Sequence, residues 1–357
     1  MEVLAKITGV IYKPLLCRDL KAYSNSELQD ALSENGSFIL NLDDKKRLAL
    51  SWWVSAKRTR SYPYARVYDT LGFEGKKVTI IPVIKDEGKD GDRDFLQWDT
   101  ISLMSLLGVY VIIAYYIDAE KSNKYINKIT NQKFDIKHIR KKISEILSYH
   151  SDALHWNLNQ IEKVGKVAKL ALSAYKKISE KLGVEMHSEG SAEKRINNII
   201  KSKENFMQVS REFAKMAQIR ESITIQPKEK IKGSKAKITI RNYLGGNYYF
   251  TCDEVRIEKG KIYLVEAKHT KQYLIPSLED IKDGLLKMIL FTNLKQVEVN
   301  GKVYEPIPVL KLTSNIRLKN ENLDDTKIET LKKLKAEAEE NNFIVEVNNK
   351  NLMEIIL

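Results

Sequence analysis

Two carboxylates and an ammonium group stand close together in the stretch TCDEVRIEKGKIYLVEAKHTKQY, residues 251–273: Asp253, Glu266 and Lys268. A pair of carboxylates suits a hard divalent cation, Mg²⁺ with Mn²⁺ as a substitute, better than zinc. Such an ion polarises a phosphoryl oxygen and lowers the pKa of a bound water. An ammonium group beside it orients that water and stabilises the charge that builds up on a phosphodiester during attack. The chemistry these three residue types suit is metal-assisted phosphodiester hydrolysis.

Positioning them requires a hairpin. Lys259-Gly260 reads as a two-residue turn, with Gly supplying the unusual backbone angle. That turn predicts the pairs Glu258 with Lys261, Ile257 with Ile262, Val255 with Leu264 and Asp253 with Glu266. Opposed antiparallel residues share a face with Cβ atoms about 4.5–5.5 Å apart, so Asp253 and Glu266 reach one cation, and Lys268 projects from the same face. Val255, Ile257, Ile262 and Leu264 make that face the expected buried one, where charge without a partner is costly. The competing reading is a salt-bridged patch on an exposed hairpin, in a chain with 30% charged residues. Glu254 is the rival first carboxylate, but in this register it faces the other way.

Asp253, then Glu266-Ala267-Lys268 on a second strand, then the helical EDIKDGLLKMILFTNL resembles the PD-(D/E)xK nuclease superfamily, most of all type II restriction endonucleases. The resemblance covers roughly residues 188–313. It implies Asp253 and Glu266 as metal-binding acids and Lys268 as the catalytic lysine. Cys252 stands where many members have Pro. The family often adds a carboxylate from the preceding helix. In SEGSAEKRINNIIKSKENFMQ, Ser191 suits an N-cap, and Glu193 shares a helical face with Ile196 and Ile200. Glu193 is thus a further catalytic candidate, against the reading that it complements the helix dipole.

The net charge of +13, from 60 Lys and Arg against 47 Asp and Glu, favours a polyanionic partner such as double-stranded DNA, or else marks a Lys-rich solvated surface. In SWWVSAKRTRSYPYARVYDT, the cations Lys57, Arg58, Arg60 and Arg66 are interleaved with Trp52, Trp53, Tyr62 and Tyr64. These are candidate DNA contacts; the alternative is a tryptophan core with a solvated arginine rim. Lys282 and Lys287, on the helix after the active strand, are backbone-contact candidates or solvated lysines.

Asp86, Glu87, Asp90, Asp92, Asp94 and Asp99 gather in one loop without the calcium-loop spacings. That loop either holds another cation or answers basic residues nearby. The five histidines show no metal-ligand spacing, and there is no Gly-rich phosphate loop, which argues against an ATP-driven enzyme. Cys17 and Cys252 lie far apart, and the N-terminal residues lack the pattern of a signal peptide, so a cytoplasmic protein with free thiols is expected. The apolar run Ile101–Ile117 reads as a short helix and a core strand, not a membrane span.

The fold expected is α/β (α+β): a mixed β-sheet nuclease core flanked by helices, with an N-terminal α/β domain over 1–118, a helical region over 119–222 and the core over 223–357, onto which a helix at 188–219 packs. The function expected is a Mg²⁺-dependent endodeoxyribonuclease, a sequence-specific restriction enzyme acting as a homodimer, because two antiparallel strands call for two equivalent sites. The alternatives are a DNA-repair or junction-resolving nuclease and a non-catalytic DNA-binding regulatory protein.

Overall fold

The computed structural model describes residues 1–43, 46–57, 60–188, 190–191, 234–242, 247–316 and 323–355. The chain is mixed α/β and divides into two compact units, one formed by Met1–Asp19 with Phe213–Leu357 and the other by Leu20–Glu212.

The boundaries expected at 118 and 222 are not where this division falls. The strand Glu2–Ile7 pairs in parallel with Ser234–Asn242 and antiparallel with Leu294–Val299, so the start of the chain is part of the C-terminal sheet. Buried Glu337 reinforces this by accepting from Tyr12 Oη (2.6 Å) and from the Leu15 and Leu16 N–H groups (both 2.9 Å). The helices Ile136–Leu147 and Ala153–Glu162 do not form a separate body: both pack on the strand Val109–Ala114, whose six residues are all buried. An amphipathic helix is stabilised by covering an apolar surface, and Ile139, Ile143, Ile146 and Trp156 find theirs in that strand and its neighbours.

In the Leu20–Glu212 unit a five-stranded mixed sheet runs in the order Ala22–Ser24, Ser37–Asn41, Arg47–Trp52, Lys76–Pro82, Val109–Ala114. The apolar run resolves as expected into the helix Trp98–Leu106 and the strand Val109–Ala114. Among the described residues no helix is long and apolar enough to cross a membrane. The acidic loop is a small hairpin, Ile84–Asp86 against Arg93–Phe95.

The other unit carries an eight-stranded mixed sheet. Starting from the strand Lys261–Thr270, it passes through Asn247–Glu258, Ser234–Asn242, Glu2–Ile7 and Leu294–Val299 to Lys302–Ser314, which also pairs in parallel with Lys261–Thr270, so these pairings close on themselves. Ile344–Val347 and Lys350–Asn351 extend beyond Lys302–Ser314. With Asn247–Glu258 on one side and Lys302–Ser314 on the other, Lys261–Thr270 is central, and Ile262, Leu264, Val265 and Ala267 are all buried. A strand covered on both faces is rich in apolar residues throughout, which is why a buried Glu266 stands out there.

Candidate active site

The hairpin forms with the expected turn. Lys259 and Gly260 have φ of +48° and +81°, the two positive angles of a type I′ turn, whose twist matches that of the flanking strands. The observed pairs include Glu258 with Lys261, Ile257 with Ile262, Val255 with Leu264 and Glu254 with Val265. Ile257, expected on the buried face, is 36% exposed, because it sits near the open tip of the hairpin.

The observed register ends at Glu254 with Val265 and does not include the expected pair of Asp253 with Glu266; five residues back from Glu258, Asp253 Oδ2 instead accepts from the Ala267 N–H at 2.9 Å. Glu266 is buried on Lys261–Thr270, and Lys268 follows two residues later on the same face. Lys268 Nζ lies 3.1 Å from Glu266 Oε1. The two acids and the lysine thus lie at one end of the hairpin.

The helix Leu278–Phe291 completes the cluster. Ser277 caps it, its side chain accepting from the Asp280 N–H. Asp283 and Lys287, four residues apart, share one helical face. Asp283 Oδ2 receives Lys268 Nζ at 2.6 Å, and Lys287 Nζ reaches Glu266 Oε2 at 2.6 Å and the Thr251 carbonyl at 3.4 Å. Gly284 permits the close approach: a Cβ there would stand 2.6 Å from Leu310 Cδ1 and 3.3 Å from Lys268 Cε.

The electrostatics follow from these contacts. Burial by itself pushes the Glu266 carboxyl up, but the ammonium groups of Lys287 and Lys268 outweigh it and hold it down to about 2. Burial likewise pulls Lys268 down, and Glu266 and Asp283 more than reverse this, so its ammonium form is held well beyond the ordinary range. Burial first, then the charges of Asp253 and Glu266, push the Cys252 thiol far up, leaving an inert thiol that donates to the Glu254 and Val265 carbonyls.

Asp253 and Glu266 offer the hard oxygen donors that Mg²⁺ or Mn²⁺ takes, and Glu266 is ionised at neutral pH, so their chemistry fits such an ion. No group of three or more His, Cys, Asp or Glu side chains converges on a metal position among the described residues.

The other expected residues are dispersed. Glu193 and Arg58 lie outside the described residues. Lys282, expected to reach DNA, is 2% exposed, because its helix is covered on nearly every side. Lys287 is neither solvated nor directed outward; it is a member of the site. Glu254 faces away as expected and pairs with Arg256 (3.3 Å) and buried Lys311 (3.5 Å). His269 also turns from the site, with Nδ1 2.9 Å from Thr313 Oγ1.

In the Leu20–Glu212 unit the expected DNA contacts serve the acidic hairpin. Arg60 pairs with Glu87, Asp92 and Asp94, and Lys57 Nζ lies 2.5 Å from Asp94 Oδ1. Lys85 and Lys128 add further cations at 3.1 and 3.3 Å from Glu87. Glu87, Asp92 and Asp94 answer basic residues nearby, one of the two readings open from the sequence, whereas Asp90 accepts from the Asn127 N–H and Asp99 lies in the helix Trp98–Leu106. Arg66 lies over the Trp52 ring, 4.5 Å from its centroid, and donates to the Trp52 carbonyl at 3.0 Å.

Sequence reasoning passed over Asp283 and read Lys287 as a backbone contact or a solvated lysine rather than as part of the site. The available signal was two charges four residues apart within an otherwise apolar helical segment, a spacing that places both on the face a core-packed helix must bury. Compared with family models, with curated proteins and with solved structures, the chain matches none of them.

Proposed function

We propose that this protein is a Mg²⁺-dependent endodeoxyribonuclease of the PD-(D/E)xK type, hydrolysing phosphodiester bonds of double-stranded DNA, and that it acts as a sequence-specific restriction enzyme. The observation that carries the proposal is the meeting of Asp253, Glu266 and Lys268 at one end of a hairpin whose central strand buries Ile262, Leu264, Val265 and Ala267. A buried carboxylate is costly to the fold, so Glu266 beside a strand-borne lysine, with half-buried Asp253 at hand, marks a functional candidate.

Asp253 and Glu266 would hold the cation, which when bound supplies Lewis-acid polarisation of the phosphoryl oxygen and a more acidic water. Lys268 orients the attacking water and stabilises the negative charge developing on the phosphoryl group. Asp283 fixes the direction of the Lys268 ammonium group, and the Ala267 N–H fixes one oxygen of Asp253. The net charge of +13 supports binding to the polyanion. Two copies acting as a homodimer would address the two strands of a symmetric site.

A second reading rests on one observation: both oxygens of Glu266 already face ammonium groups, an arrangement that also suits a purely structural ion cluster in a DNA-binding regulatory protein. The test is a plasmid digest by wild-type protein and Glu266→Gln, each in Mg²⁺ and in chelator, with melting curves for both. Discrete Mg²⁺-dependent fragments, lost in a folded variant, support the restriction nuclease. Binding to plasmid without cutting by wild-type protein supports the structural cluster, and cutting directed to junctions or damaged DNA supports a repair nuclease.

A further inference from the structure

We infer that Lys287 is a resident counter-ion which a divalent cation displaces from Glu266, so that metal binding at this site is a competition between the helix Leu278–Phe291 and the metal. This rests on reading Asp253 and Glu266 as the metal-holding pair.

The two ammonium groups on Glu266 are not equivalent. Lys268 approaches Oε1 and is held on its other flank by Asp283, at 2.6 Å. Lys287 approaches Oε2, and its further acceptor is the Thr251 carbonyl. Thr251 lies on the strand that carries Asp253, two residues before it. Lys287 therefore ties Glu266 to the backbone of the strand that carries Asp253. A cation held by Asp253 and Glu266 would meet an ammonium group already in contact with one of its ligands.

Charge makes the competition necessary. Glu266 is buried, and an ionised carboxylate in that position is stable only with a compensating cation. Without metal, Lys287 supplies it. With metal, the divalent ion supplies more charge than Lys287, and like-charge repulsion opposes keeping both close to one carboxylate. The Thr251 carbonyl gives the displaced ammonium group an acceptor already within reach, so Lys287 need not leave the interior unpaired. The sequence requirement is one long cationic side chain four residues after Asp283, on the same face of the helix.

The test is Mn²⁺ titration by calorimetry on full-length wild-type protein, Lys287→Met and Glu266→Gln, with melting curves in chelator and in Mn²⁺. Removing the competing charge is expected to tighten Mn²⁺ binding about ten-fold or more. Mn²⁺ is also expected to raise the melting temperature of Lys287→Met by more than that of wild type, since metal replaces the missing cation. An unchanged or weaker affinity in Lys287→Met overturns the inference while leaving the nuclease reading intact, provided Glu266→Gln abolishes binding. Lys287→Met that stays unfolded at saturating Mn²⁺ also overturns it. Mn²⁺ binding that is absent in wild type, or indifferent to Glu266→Gln, removes the metal-holding pair and the inference with it.

Discussion

The ammonium group of Lys268 is shared between two elements: its Nζ lies 2.6 Å from Asp283 Oδ2 on the helix Leu278–Phe291 and 3.1 Å from Glu266 Oε1 on its own strand. In the proposed nuclease Asp283 is therefore a positioning residue. Asp283→Asn is expected to lower kcat about 10–100-fold, the cost usual for partners that orient a metal-site group, with KM for DNA and the melting temperature little changed. A change in KM alone, or a parallel loss of folding, would count against that role.

Gly284 determines how close this helix comes. An added Cβ would press on Leu310, which has no exposed surface to retreat into, and then on Lys268. Overpacking of this kind costs about 1–3 kcal/mol, and the helix preference of Ala over Gly offsets about 1 kcal/mol. Gly284→Ala is expected to be destabilised in urea by about 1 kcal/mol net and, if the proposed nuclease activity is present, to lose more of it than stability explains, since the clash also falls on Lys268.

Glu266 gives stability a defined pH dependence. Its folded value of about 2 lies below the ordinary 4.5, so its contribution is complete above about 4.5 and is lost as pH falls towards about 2. The contribution is on the order of 2–3 kcal/mol. Denaturation midpoints of wild type and Glu266→Gln, measured from about pH 7 down to about pH 3, should start apart with wild type the more stable and converge as the carboxyl protonates.

Arg60 is expected to matter for folding more than for DNA. It contacts Glu87, Asp92 and Asp94, and the Asp94 side chain is fully buried. Arg60→Ala leaves part of that charge uncompensated and should cost about 2–3 kcal/mol in urea unfolding. The slope of DNA affinity against salt should stay at the wild-type value, whereas loss of a phosphate contact would reduce it by about one.

The hairpin was legible because everything that defines it is local. A two-residue Lys-Gly turn sets the register from Glu258–Lys261 to Glu254–Val265, and alternation puts Glu266 and Lys268 on one face without knowledge of the rest of the chain; Asp253 joins them through the Ala267 N–H rather than through the expected pair with Glu266. The mixed α/β class followed from patterns of the same short range. Other features depended on partners far away in sequence. Glu2–Ile7 reads as a strand in isolation, but which sheet it joins depends on Ser234–Asn242 and Leu294–Val299. Arg60 and Lys57 read as phosphate ligands beside aromatics, until the fold places the acids of residues 86–94 against them.

The amino-acid sequence by itself thus determined which residues could do chemistry and that Glu266 and Lys268 share a face. Tertiary packing decided the charges that surround them. Whether Lys282, Asp283 and Lys287 face solvent, core or site depends on which side of their helix meets the sheet and how closely. That is settled by burial against Leu310 and the hairpin, through contacts across the fold that local spacing does not encode.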